Sequence, residues 1–210
     1  MTSDASFQWH EPTQARSREK VERMLDAAVD LAVERGSLDI KVTEVAKRAG
    51  VAIGTLYQFF PTRTALIAKL FAREMEPIDA LVANALIGFG SRSEIRTGIE
   101  REIRATLDLV RSRPGLLVIW SSLAIDPVVE AADFANTRQN AQTLTDRLKS
   151  VVPSQVEQRD LFATALLICH LWGSVVRLCV LADDGEEDAI ISQYSNMLSA
   201  HTASLFSKTD

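Results

Sequence analysis

The chain has 210 residues, of which 47% are hydrophobic and 24% are charged, a composition typical of a globular protein. Its formal net charge of −5 argues against nucleic-acid binding over the whole surface. The two cysteines, Cys169 and Cys179, do not share a helix face at their spacing, which argues against a local disulfide or metal pair. They are expected to be packed thiols in a reducing cytoplasm.

Positive charge is concentrated towards one end of the chain. Residues 16–73 contain eleven Lys or Arg against seven Asp or Glu, whereas residues 74–210 contain twelve against nineteen. Such an asymmetry is expected when only one end meets a polyanion such as DNA. It is mild, and an uneven distribution without functional meaning is the alternative.

Neither a signal peptide nor a membrane-spanning segment is predicted. Residues 1–14 lack the apolar core of a signal peptide, and residues 1–15 are expected to form a disordered arm. In the apolar C-terminal half, the longest stretch without Asp, Glu, Lys or Arg covers residues 161–176, shorter than the roughly 20 residues that a membrane span requires. We therefore expect a buried helix there, no membrane association and a cytoplasmic location.

Runs rich in Ala, Leu, Arg and Glu, with apolar residues three and four positions apart, predict an all-α fold of about nine helices. Loops or breaks are expected at residues 88–93, 112–115 and 183–185, and a kink or break at Pro77. In chain order, the predicted helices cover residues 17–35, 43–49, 53–59 or 60, 62 to about 86, 94–111, 116–123, 126 to before 153, 155–182 and 187–206.

The second and third helices are very short and are separated by a tight turn. Gly50 supplies the backbone freedom that the turn requires. Thr43 is expected to cap the second helix, Thr62 the fourth, and Gly36 to end the first in a left-handed conformation. Together these features predict a helix-turn-helix over residues 43–60, with a core formed by Val45, Val51, Leu56 and Phe60.

The third helix then exposes a set of side chains suited to DNA. The hydroxyl groups of Thr55 and Tyr57 can donate to phosphates, and Gln58 can pair with adenine. Gly54 allows close approach to the DNA backbone. Alternatively, Tyr57 is a half-buried aromatic that closes the core and Thr43 is only a cap. The more exposed residues of this helix are expected to be Ile53, Thr55, Tyr57, Gln58 and Phe59.

Arg63 opens the fourth helix, where a cation is unfavourable to the helix dipole. Its position therefore needs another reason, and a phosphate contact is one.

The run from Val42 to Leu66, VTEVAKRAGVAIGTLYQFFPTRTAL, resembles the DNA-binding signature of the tetracycline-repressor (TetR) family. The family pattern Gly-x-Leu-Tyr-x-x-Phe, which marks its recognition helix, is matched by Gly54, Leu56, Tyr57 and Phe60. The resemblance implies that Arg63 holds a phosphate. The strong similarity covers residues 18–71.

Two positions depart from the family pattern. Ile53 stands where the family often has Lys, and Phe59 where it often has His, so two common polar contacts are absent. Basic residues are frequent in the N-terminal arm of the family, and Arg16 and Arg18 stand there. The predicted DNA-binding residues are Arg16, Arg18, Thr43, Ile53, Gly54, Thr55, Tyr57, Gln58 and Arg63.

The resemblance also implies a domain order. Residues 16–61 correspond to the DNA-binding domain, and residues 62–210 to a ligand-binding and dimerisation domain in which 62–76 form a connecting helix. The last two helices are long and more apolar than one buried face requires, so they are expected to pair with a second copy; a monomer core is the alternative. The predicted interface residues are Leu167, Leu171, Val175, Ile190, Tyr194, Met197, Leu198, His201 and Leu205.

Bulky and polar residues on the middle helices are candidates for a pocket that takes a small hydrophobic or amphipathic effector. For each of them, plain core packing is the alternative. They are Ile103, Leu107, Trp120, Phe134, Arg138, His170 and Trp172.

These features favour a ligand-responsive repressor that, as a homodimer, binds a double-stranded, pseudo-palindromic DNA operator. An enzyme is the competing class, but the chain has only three histidines and lacks a glycine-rich phosphate loop, zinc-ligand spacing and a nucleophile elbow. We expect no cofactor and no metal. A third possibility is an interaction protein that has lost DNA binding, because Ile53 and Phe59 are apolar.

Overall fold

The computed structural model describes residues 15–85, 92–122, 125–149 and 157–206. Within these ranges the chain forms nine helices and no strand, which confirms the predicted all-α fold. Most of the predicted N-terminal arm, residues 88–91 of the predicted loop, and Leu123 lie outside the described residues. The helices are α1 (Ala15–Arg35), α2 (Val42–Arg48), α3 (Ile53–Phe59), α4 (Arg63–Ala85), α5 (Arg92–Ser112), α6 (Pro114–Ser121), α7 (Pro127–Leu148), α8 (Gln158–Leu181) and α9 (Asp184–Phe206).

The chain divides into two compact units, and each unit is made of two stretches of the sequence. The first contains residues up to Met75 together with 113–133, and the second contains residues 76–112 together with 134–210. Two of the three boundaries fall inside helices, so α4 and α7 each contribute to both units. The inclusion of α6 in the N-terminal unit depends on tertiary packing, which helical periodicity does not reveal.

The first unit is built around α1. The predicted apolar face of this helix is buried, and Gly36 ends the helix with a φ of +61°, as expected. The connector to α2 then inserts Leu38 and Ile40 into the core. Helix α6 lies so close to α1 that a Cβ atom at Gly115 would stand 2.9 Å from Cγ1 of Val29. Only glycine fits this crossing without a shift of its neighbour.

Two predicted helix caps have different outcomes. Thr62 caps α4 as expected, because its Oγ1 accepts a hydrogen bond from the Ala65 N–H at 3.1 Å. The prediction for Thr43 is wrong, since α2 begins at Val42 and places Thr43 inside its first turn. The backbone N–H of Lys41 instead donates to Oε2 of Glu44 at 3.2 Å. This frees the exposed Thr43 hydroxyl for other partners.

Helix α4 continues through Pro77 rather than breaking there. Proline removes one backbone donor and clashes with the preceding turn, which is why a break was predicted. The buried side chains of Ile78 and Val82 follow in the same helix. Tertiary packing of this kind offsets the lost hydrogen bond.

In the second unit, α5 packs against α8 and α9. Its apolar residues Ile99, Ile103 and Leu107 are buried. On the outside, Arg104 forms an ion pair with Asp188, and Arg111 with Glu187. The first residues of α5, Arg92 and Ser93, had been assigned to a loop, so the predicted start at residue 94 is late by two positions.

Helix α8 is not the buried helix that its composition predicted. By length and hydropathy alone it would suffice to cross a membrane, yet only 33% of its apolar window is buried within the chain. One such helix is weak support for a membrane protein, because helices of water-soluble folds pass the same test. Four of its leucines are exposed, and they lie about one helical turn or two apart: Leu167, Leu171, Leu178 and Leu181.

Candidate nucleic-acid interface and C-terminal surfaces

The helix-turn-helix is formed as predicted. Gly50 adopts a φ of +65°, and the Val51 N–H donates to the Ala46 carbonyl at 3.0 Å to close the turn between α2 and α3. Leu56 and Phe60 are completely buried. Val51 is only partly buried, so it contributes less to this core than expected. The two short helices are therefore held by a shared core rather than by their own length.

The exposed face of α3 carries the side chains that the sequence selected. Ile53 is 40% and Tyr57 47% exposed, and these two residues lie one turn apart. Gln58 is also exposed, and Thr55 is half-buried. Because Tyr57 is about half buried, it can pack against the core with one part of its ring and leave the other part open to a partner. A Cβ atom at Gly54 would meet nothing within 4 Å, so folding does not require glycine there.

Helix α2 adds a residue that sequence reasoning missed. Lys47 follows Thr43 by four positions, and both side chains are exposed on one face. Lys47 forms no ion pair with any described residue. In contrast, its neighbour Arg48 is held by Glu34 at 2.6 Å. The spacing of four from Thr43 was the signal that could have identified Lys47.

The other cations of the first unit fall into two groups. Arg16 and Arg18 are exposed near the start of α1 and have no ion pair among the residues that the structure describes. Arg35 lies on the Glu44 carboxylate at 2.8 Å, and this contact lowers the pKa of Glu44. Arg16 and Arg18 are thus available to phosphates without the loss of an internal pair, whereas Arg35 is not.

Arg63 is occupied within its own chain. Its Nη2 donates to the Leu38 carbonyl at 2.6 Å, and its Nε donates to the Ile40 carbonyl at 3.4 Å. The same guanidinium lies 3.4 Å from Oδ2 of Asp126. The implied phosphate contact stays a prediction, and it would have to share or replace these three acceptors.

The seven predicted effector contacts do not share one environment. Trp120 is in the first unit, and the other six are in the second. Within the second unit, Ile103, Leu107 and Trp172 are buried. Three others are exposed: Phe134 (55%), Arg138 and His170.

Arg138 stacks between two aromatic rings. Its guanidinium carbon lies 5.9 Å from the ring centroid of Phe134 and 5.3 Å from that of Phe162. These distances are typical of cation–π contacts. The pairing accounts for the exposed position of Phe134 without invoking an effector.

A polar cluster in the second unit was not anticipated. The Asp79 carboxylate of α4 accepts hydrogen bonds of 2.8 Å from the side-chain amides of Asn136 and Asn140 on α7. Burial raises the pKa of Asp79, although these hydrogen bonds oppose that shift. The four-residue spacing of the two asparagines on one helix face was the available signal.

Residues predicted for the dimer interface line a surface groove between α8 and α9. The groove has a volume of about 240 Å³ and is predominantly apolar. Leu167 (61% exposed) and Met197 (69% exposed) lie at its surface. At its base, the Tyr194 hydroxyl donates to the Ile168 carbonyl at 3.3 Å and thereby links the two helices. The lining residues are Thr164, Leu167, Ile168, Leu171, Tyr194, Met197, Leu198 and His201.

Three further interface predictions lie outside this groove. Val175 and Ile190 are partly exposed, and Leu205 is in α9 but its side chain lies outside the described part of the chain.

The cysteines are free, as expected. Cys179 is buried and Cys169 partly so. Burial raises the pKa of Cys169 to about 12, so its thiol stays protonated at neutral pH. Packing rather than reactivity explains both residues.

Two family models match the chain. Residues 24–70 match the model for bacterial regulatory proteins of the tetR family, and residues 94–206 match the tetracyclin repressor-like C-terminal domain. The first match contains the helix-turn-helix, and the second contains α8 and α9.

Curated relatives agree with these models. The HTH-type transcriptional repressor KstR of Rhodococcus jostii is 30% identical over 74% of this chain and 70% of its own length. KstR of Mycolicibacterium smegmatis is 36% identical over 43% of this chain and 45% of its own length.

Solved structures share the fold. A transcriptional regulator from Streptomyces coelicolor superimposes with a TM-score of 0.66 at 20% identity, covering 86% of this chain and 98% of its own. A TetR regulator from Rhodococcus sp. RHA1 gives a TM-score of 0.54 at 26% identity, covering 87% of this chain and 97% of its own. With its helix-turn-helix, its C-terminal helices and these matches, the chain belongs to the TetR family of bacterial transcription regulators.

Proposed function

We propose that this DNA-binding regulator is a homodimeric repressor that binds a pseudo-palindromic operator and is released by a small organic molecule. The observation that carries the proposal is the exposed face of α3, which presents Tyr57, Gln58 and the open position at Gly54 on a packed helix-turn-helix. The relatives that support repression are named as transcriptional repressors. The proposal includes no catalytic step and places the protein in the cytoplasm.

The DNA contacts are assigned by chemistry. Gln58 is suited to a base edge, because its amide can pair with the N6 and N7 atoms of adenine. The hydroxyl groups of Thr43, Thr55 and Tyr57 are suited to phosphates, as are Lys47 and the two arginines near the start of α1, Arg16 and Arg18. Ile53 supplies an apolar contact, for example with a thymine methyl group.

The homodimer is supported by the surface of α8 and α9. Leu167, Leu171 and Met197 would remain in water in a single copy, which is costly for large apolar side chains. A second copy of the same two helices would cover them in a four-helix arrangement. Dimerisation also gives two recognition helices, as a pseudo-palindrome requires.

Release by an effector rests on the interior of the second unit. The buried indole N–H of Trp172 has no hydrogen-bond partner among the described residues, and a ligand acceptor would satisfy it. Ile103 and Leu107 add apolar surface in the same unit, and Asp79 adds a polar group. A small hydrophobic or amphipathic molecule with a hydrogen-bond acceptor suits this set. Its binding would shift the dimer, through α4, towards a shape whose two heads no longer fit the operator.

A gel-shift experiment with the full chain tests the proposal. The probe is the DNA upstream of the gene for this protein, and an unrelated duplex of equal length is the competitor. We expect a specific complex at moderate salt. Failure to bind any duplex at low salt would contradict the proposal that the protein is a DNA-binding repressor.

The variant Tyr57→Ala tests the site. We expect operator affinity to fall by at least about tenfold, because the side chain stands on the exposed face of α3. The thermal midpoint should change little, since nearly half of the ring is already in water. Unchanged affinity would show that the recognition face is assigned incorrectly. Arg101→Ala on α5, outside the proposed interface, is the matched control for a surface truncation.

A further inference from the structure

We propose that Arg63 is a positioning residue for the DNA-reading helices, acting as a pair with Asp126, and that it does not bind phosphate. The pair fixes the connector between α1 and α2, and the connector sets the pose of α2 and α3. This inference rests on the proposed function, because a change in the position of α2 and α3 would be observed as a change in operator affinity.

The guanidinium group of Arg63 lies among acceptors of its own chain. Its Nη2 donates to the Leu38 carbonyl at 2.6 Å, and its Nε donates to the Ile40 carbonyl at 3.4 Å. Nη1 and Nη2 lie 3.5 and 3.4 Å from Oδ2 of Asp126. All three nitrogens therefore have an acceptor in the chain, and four of the five N–H groups of the guanidinium are directed at these acceptors.

Asp126 is itself held in place by two hydrogen bonds. Its Oδ1 accepts the Val128 N–H at 2.9 Å, which caps the first turn of α7. Its own backbone N–H donates to the Ser122 carbonyl at 2.8 Å. Because both the backbone and one carboxylate oxygen are fixed, the other oxygen presents a fixed negative charge to Arg63.

The connector between α1 and α2 leads directly into α2 and is held on two sides. Leu38 and Ile40 are buried in the core, and Lys41 directly precedes α2. On the other side of the same connector, Arg35 donates to the Asp39 carbonyl at 2.8 Å. Two arginines thus hold three successive carbonyl groups of a segment without regular structure. Loss of either would loosen the start of α2.

Electrostatics also disfavour a phosphate at this place. A phosphate that approached Arg63 would approach the Asp126 carboxylate as well, and like charges at short range repel. The same arrangement explains why a cation is tolerated in the first turn of α4, where the helix dipole opposes it. The carboxylate of Asp126 compensates for that cost.

The main test compares Asp126→Asn with Glu34→Gln in the full chain. Each removes one negative charge from the first unit, but asparagine can still cap α7, and Glu34 takes part only in an exposed pair with Arg48. We expect Asp126→Asn to weaken binding to the upstream duplex about five- to tenfold relative to Glu34→Gln, with equal affinity for an unrelated duplex. A phosphate-binding Arg63, freed from its competitor, would instead bind more tightly, and that result would overturn the proposal.

Conservative replacement of Arg63 gives a second criterion. Lysine can serve as a phosphate-binding point charge, but it cannot span two carbonyl groups and a carboxylate. We therefore expect Arg63→Lys and Arg63→Gln to be equally impaired, and the slope of log K against log salt to stay within about 0.3 of the parent in Arg63→Lys. Rescue by lysine, together with a slope lowered by about 0.9 only in Arg63→Gln, would overturn the proposal.

Hydrogen exchange tests the same pair without DNA. In Asp126→Asn, amides of residues 37–45 should exchange several-fold faster than in Glu34→Gln, while amides of α1 stay unchanged. Equal exchange in the two variants would contradict the positioning role even if operator binding were weakened. If the parent protein binds no duplex but this difference is seen, then the proposed function fails and the positioning role stands.

Discussion

Gly54 is the residue at which folding and DNA binding make opposite demands. A methyl group there would meet nothing within 4 Å, and the backbone conformation is not one that favours glycine. We expect Gly54→Ala to stabilise the fold by up to about 1 kcal/mol, because alanine has the higher helix propensity. Operator affinity should fall, since the new methyl group would stand between α3 and the DNA. Thermal denaturation and a gel shift measure the two effects.

Gly50→Ala is the matched control for that variant. Its φ of +65° strains any residue with a side chain, so this substitution should destabilise the protein by about 1 kcal/mol. A Gly54→Ala protein that bound its operator as tightly as the parent would show that the start of α3 does not approach DNA closely.

Single residues also show which features of the site could be predicted from the sequence and which could not. Tyr57 was predicted correctly to be exposed, because its position follows from the period of a short helix. The cap predicted at Thr43 is two positions late, because Lys41 and Glu44 supply the start of α2. The contact of Arg63 with Asp126 was not predicted, because Asp126 is 63 positions away and no local pattern relates the two.

At the level of elements, α8 has an apolar face that the chain leaves uncovered. We expect Leu171→Asp to convert the proposed homodimer to a monomer, because a carboxylate in that face would be buried without a partner on association. Sedimentation velocity measures the change, and circular dichroism should show an intact helical fold. Leu171 is exposed within one copy, so the substitution costs little in the monomer.

Ile125→Asp is the control for that experiment. This residue is also an exposed large apolar side chain, but it precedes α7 in the first unit, whereas α8 and α9 belong to the second. It should leave the oligomeric state unchanged. If Leu171→Asp stayed dimeric at micromolar concentration, a face other than that of α8 and α9 would have to join the two copies.

The helices were easier to predict than their packing. Periodicity and caps located all nine helices to within a few residues, because those signals are local. Pro77 was misjudged because its effect is decided by the packing of the residues that follow it. The assignment of Trp120 to the first compact unit and of Trp172 to the second could not be predicted for the same reason.

At the scale of the whole molecule, each copy carries one basic reading unit on an acidic chain. Residues 16–73 hold a surplus of four positive charges, and the remainder of the chain is acidic, so one copy alone has little attraction for DNA. In the proposed homodimer, the second unit would contribute to DNA affinity by joining two reading units. Affinity for the full operator should then exceed affinity for a half-site by far more than a statistical factor.

This difference can be measured by fluorescence anisotropy with a full operator and a half-site duplex of equal length. We expect the parent to prefer the full operator by about a hundredfold or more, because the second contact is intramolecular once the first is made. In Leu171→Asp the two affinities should converge on the half-site value, while half-site binding itself is unchanged. Equal affinities in the parent protein would mean that the two reading units act independently and that dimerisation serves some purpose other than operator recognition.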